Sequence, residues 1–63
     1  MNEFTSSARV DGAWWVVQCD QVPQAVSQVE SLEEAEPILR DAIAFVTGLS
    51  VRDIEVVVRP VDA

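Results

Sequence analysis

Four carboxylates stand close together at Glu30, Glu33, Glu34 and Glu36, and clustered carboxylates can hold divalent cations for phosphodiester hydrolysis or attract a basic partner. A two-metal centre also needs ligands from a neighbouring strand. The first strand, however, offers Thr5, Ser6, Ser7 and Arg9 between Phe4 and Val10. Acidic residues at the start of a helix have a simpler use, stabilising the positive end of its dipole by about 0.3–1 kcal/mol each. The single thiol, Cys19, would need a base or cationic neighbours to become a nucleophile. The chain has no His, Lys or Tyr, which removes the usual proton shuttle, the commonest metal ligand and Schiff-base chemistry. The expectation is a non-catalytic protein without metal or cofactor, with Cys19 as a small buried apolar group.

Charge points to the class of partner. Four Arg against eleven Asp and Glu give a net charge of 4 − 11 = −7, so a polyanion is repelled and a basic protein attracted. A lone Cys forms no intrachain disulfide, which suits a reducing compartment. Residues 1–7 lack a basic segment followed by an apolar run, and the apolar stretch Ala13 to Val17 is far shorter than a membrane span. A soluble, cytoplasmic protein is expected. Its 63 residues amount to one domain, 1–63, and a core of that size is marginal enough to favour an oligomer or a partner.

The elements follow from periodicity. Phe4 to Val10 and Ala13 to Cys19 flank Asp11-Gly12, a dipeptide suited to a two-residue type I′ hairpin turn. That turn sets Val10 opposite Ala13, Arg9 opposite Trp14, Ser6 opposite Val17 and Phe4 opposite Cys19. Alternation assigns Phe4, Ser6, Ala8, Val10, Ala13, Trp15, Val17 and Cys19 to a core face, and Thr5, Ser7, Arg9, Trp14, Val16 and Gln18 to the other. Ala25 to Val29 reads as a third, edge strand. Ser31-Leu32-Glu33-Glu34 fits a capping box. A helix follows, with Leu32, Ala35, Leu39, Ala42, Ile43 and Val46 as its apolar stripe, widened by Ile38 and Phe45. Pro37 should bend or loosen the first turn, Gly48 should stop the helix, and Ile54 to Arg59 is a fourth strand ended by Pro60. The predicted class is α+β with the order β-β-β-α-β.

One helix covers one face of such a sheet. The other face keeps Trp14, Val16 and Val57, with Val26 near them, among Thr5, Ser7, Arg9, Gln18 and Glu55, a mixed patch that marks association. Arg9, Trp14, Val16 and Val57 are therefore the expected homodimer contact, although Trp14 could instead lie on Arg9 as an exposed cation–π pair. Glu30, Glu33, Glu34 and Glu36 are then the acidic surface left for a partner.

The run from Asp11-Gly12 through Trp15-Val16-Val17, Val22-Pro23, Ala25-Val26-Ser27-Gln28 and Ser31-Leu32-Glu33-Glu34-Ala35 to Asp41-Ala42-Ile43 resembles the HicB-like antitoxin family over residues 4–59. The resemblance implies a degenerate ribonuclease H-like half-fold, with a sheet ordered 3-2-1-4, strand 4 parallel to strand 1 and the helix on one face. It also implies a partner, a small basic HicA-type toxin that cleaves mRNA and whose active site the antitoxin covers. Gln24 stands where the family has a turn Gly, Pro37 interrupts the helix, and no C-terminal DNA-binding module is expected after Ala63, so operator binding is not carried over. The other reading of the same domain is an orphan HicB-like oligomeric scaffold or subunit without a toxin.

Overall fold

The structure is a computed structural model and describes residues 2–61. Strands β1 (Asn2–Asp11), β2 (Trp14–Cys19) and β3 (Val26–Val29) are followed by a 3-10 turn at Leu32–Glu34, helix α1 (Ala35–Thr47), a second 3-10 turn at Val51–Asp53 and strand β4 (Ile54–Pro60). The sheet is ordered β3-β2-β1-β4. Its β1–β2 and β2–β3 pairs are antiparallel and its β1–β4 pair is parallel. This is the expected α+β class, strand order and direction of strand 4.

The hairpin register differs from the expected one by two residues. Asp11 faces Trp14, Val10 faces Trp15, Arg9 faces Val16 and Ser6 faces Cys19, so the turn is Gly12-Ala13 and not Asp11-Gly12. The cause is the sign of φ. A type I′ turn needs two positive φ angles, whereas here Gly12 has φ 65° and no described non-glycine residue is positive. With Gly first and a residue of ordinary φ second, the turn has the sign pattern of type II′. A slip of two residues keeps every side chain on its face, and the core and open faces stand as assigned. The direct Arg9–Trp14 pair does not.

At the helix start, the Glu34 carboxylate accepts from the amides of Glu30 and Ser31, each at 3.2 Å, and the Glu34 N–H donates to the Ser31 carbonyl at 3.1 Å. The loosening expected at Pro37 takes a definite form. The chain turns first as a 3-10 helix, with Ala35 N–H donating to the Leu32 carbonyl, and α1 begins only at Ala35. Pro37 thereby becomes the third α-helical residue, where a missing N–H is one of the four that a helix leaves unpaired in any case. Gly48 caps the other end in the left-handed region, φ 80°, with its N–H on the Ala44 carbonyl at 2.9 Å.

The core between α1 and the sheet contains Ala8, Val17, Cys19, Ala25, Val29, Ala35, Leu39, Ile43, Ile54 and Val56. Ile38 and Phe45 do not widen the buried stripe as expected, and Phe45 is 91% exposed. At about 100° per residue, Ala35 and Ile43 flank Leu39 by about 40°, but Ile38 lies about 100° and Phe45 about 120° away from it. Those angles point past the sheet. Val10 and Ala13, placed on the core face, also remain exposed. Ten residues of β1 extend about 33 Å, thirteen residues of α1 about 20 Å, and the hairpin tip runs beyond the lid. Within the core the Ser6 hydroxyl is fully buried and has no hydrogen-bond partner among the described residues. No helix among the described residues is long and apolar enough to cross a membrane.

Candidate functional site

Strand pairing arranges the uncovered face in rows, and the rows show what can act together. In one row, Val16 lies beside Arg9 on β1 and Gln28 on β3. The next places Gln18 between Ser7 and Val26, with Arg59 of β4 beyond Ser7. Val57 sits a further step along, beside Thr5. Arg9 and Thr5 are four residues apart on β1, about 13 Å at strand rise. Arg9, Trp14, Val16 and Val57 therefore share one face, as expected, but they do not form one patch.

A polar cluster fills the gap. Asp20 accepts from Thr5 Oγ1 at 2.9 Å and from Ser7 Oγ at 3.3 Å, and pairs with Arg59 at 3.4 Å. Gln21 spans the same place, accepting the Thr5 N–H and donating to Thr5 Oγ1, both at 3.0 Å. Gln18 donates to the Pro23 carbonyl at 2.9 Å. These contacts extend the β1–β2 pairing past Cys19 and line a shallow groove with Ser7, Arg9, Val16 and Gln18. Asp20 and Gln21 were not singled out in the sequence, because only the register brings a turn residue over Thr5 and Ser7.

At the other end of the face, half-exposed Trp14 lies across from Asp11. An indole beside a carboxylate can take a Lys or Arg side chain, the ring face attracting the cation and the carboxylate its charge. The register thus brings Asp11 to Trp14, expected at a homodimer contact, while Glu30, expected at the acidic surface, follows the end of β3 and is exposed. Asp11 is not among the residues expected here, because the expected turn contains it.

The remaining acidic residues are unequal. Glu34 is taken up by backbone amides and Glu36 by Arg40 one turn along the helix. Glu30 and Glu33 are the exposed carboxylates of the four that no side-chain bond engages among the described residues. No three His, Cys, Asp or Glu among the described residues lie close enough to hold a metal ion. Cys19 is buried, with its thiol 3.7 Å from Gln21 Oε1.

No protein-family model, curated protein or solved structure matches this chain.

Proposed function

We propose that the chain is a non-catalytic binding protein, a HicB-type antitoxin that covers the active site of a small basic HicA-type mRNA-cleaving toxin in the cytoplasm. The observation that carries this reading is Trp14, half-exposed on the face without a lid and paired with Asp11 across the hairpin, in a chain of net charge −7. A toxin site that normally receives phosphate is lined by cations, and an acidic surface with an aromatic anchor competes for it. The sheet order β3-β2-β1-β4 with β4 parallel to β1 supports the family resemblance from which the reading comes. Exposed Glu30 and Glu33 add charge that draws the partner in, and Trp14 sets its residence time.

The test is co-expression with the small basic protein encoded beside this gene. The expected results are a purified complex, restored growth in cells making the toxin, and loss of both with Trp14→Ala or Glu30→Lys while far-UV circular dichroism is unchanged. A complex that withstands both substitutions would refute the site. A gene with no such neighbour would refute the antitoxin reading and leave the orphan scaffold.

A further inference from the structure

The outer edge of β4 is free of any strand among the described residues, since β4 ends the sheet order. Which of its backbone groups face outward follows from the ladder. Val61 N–H donates to the Ala8 carbonyl at 2.8 Å, and residues of a strand turn their N–H and C=O groups alternately to its two sides. Glu55, Val57 and Arg59 thus bond to β1, and Val56 and Val58 present their N–H and C=O groups to the outside. The free stretch has two stops. Ile54 N–H is already taken by the Val51 carbonyl, and Pro60 has no N–H to give.

We propose that this edge pairs antiparallel with the same edge of a second copy, about a twofold axis at Val57, to make one continuous eight-stranded sheet. In that register Val56 of each copy faces Val58 of the other, which gives two hydrogen-bonded pairs from the residues with free donors and acceptors. Val57, half-exposed in the single chain, meets its own equivalent as the non-hydrogen-bonded pair, where side chains approach closest. Glu55 stands opposite Arg59 of the other copy, and the symmetry makes this pair twice. Sliding the strands by two residues in either direction sets Val57 against Glu55 or against Arg59 and loses the match.

The occupant is a second copy because the edge is complementary to itself, as a twofold contact requires, with opposite charges equally spaced on either side of a central valine. The Arg59 side chain is 64% exposed even with Asp20 beside it, so it has a side available to Glu55 of the neighbour. Long exposed edges are otherwise a pairing hazard that proteins suppress, and here the ladder ends itself at Ile54 and Pro60. This arrangement leaves Trp14 free and does not depend on any toxin.

Sedimentation velocity on the full chain alone tests the pairing. A species of twice the monomer mass is expected at micromolar concentration. Glu55→Arg or Arg59→Glu turns two attractive pairs into two repulsive ones and should raise the dimer dissociation constant about tenfold or more. Combining the two substitutions restores opposite charges and should bring the constant back near its starting value. Val58→Pro removes an outward N–H without touching the bonds to β1, and should yield a folded monomer. A chain that is monomeric throughout, a dimer indifferent to both charge reversals, or a dimer broken by Trp14→Glu alone would overturn the proposal.

Discussion

Ser6→Ala should make the protein more stable. Ser6 stands on the core side of β1, paired with Cys19 on β2 and Val58 on β4, and none of its surface reaches solvent. Its hydroxyl has left water and found no partner, a state that costs about 1–3 kcal/mol. Alanine differs by one oxygen atom, so the substitution removes the penalty and sacrifices little packing. A net gain of about 1 kcal/mol is large beside a total of roughly 3–9 kcal/mol, which is about 0.05–0.15 kcal/mol per residue. It corresponds to a rise in melting temperature of about 4–8 °C for a domain of this size. Urea unfolding followed by tryptophan fluorescence suits the measurement, because Trp15 is half-buried on the core face. Protein concentration must be held constant, since any self-association adds to apparent stability. Ser6→Val is the opposing control. It forces two methyl groups into the same closed space and should cost about 1–3 kcal/mol. A loss of about 1 kcal/mol or more in Ser6→Ala would show that the hydroxyl is hydrogen-bonded, and the reasoning would fail.

Leu39, fully buried at the centre of the helix stripe, should lose about 2–5 kcal/mol on Leu39→Ala, read as a lowered urea midpoint by circular dichroism at 25 °C. Phe45→Ser, on the same helix, should change stability by no more than about 0.5 kcal/mol, and a loss comparable with that of Leu39→Ala would put Phe45 back in the core. Gly12→Ala meets no atom within 4 Å of the new Cβ, so its cost is that of positive φ alone, about 1–2 kcal/mol; a urea midpoint equal to that of the unchanged chain would show that the turn does not need a positive φ at position 12.

Much of the architecture was legible because its causes are local. Period-two alternation in Phe4 to Val10 and Ile54 to Arg59, the Ser31–Glu34 box, and Gly48 after the last apolar residue each mark an element within a few positions of chain. The two faces of the sheet were legible for the same reason, and they survived an error in register because a slip of two residues preserves parity. The turn itself was harder to read. Asp11-Gly12 is a good type I′ dipeptide, yet one positive φ at Gly12 suffices when Ala13 occupies the second turn position. The acidic residues show the same division: their clustering is plain in the sequence, but Glu34 and Glu36 are spent on backbone amides and Arg40, which a charge count does not reveal.

By itself the amino-acid order determined which segments extend and which coil, which side of each strand is apolar, and a net charge of −7. Tertiary structure alone decided that Phe45 lies outside the core, that Ser6 is sealed in without a partner among the described residues, that Asp11 stands opposite Trp14, and that Asp20 reaches Thr5, Ser7 and Arg59. The physical reason is range. Propensity, capping and alternation act between residues close in the chain, whereas burial and polar pairing depend on which distant segments meet, and that depends on strand register and on how far a thirteen-residue helix reaches across the sheet.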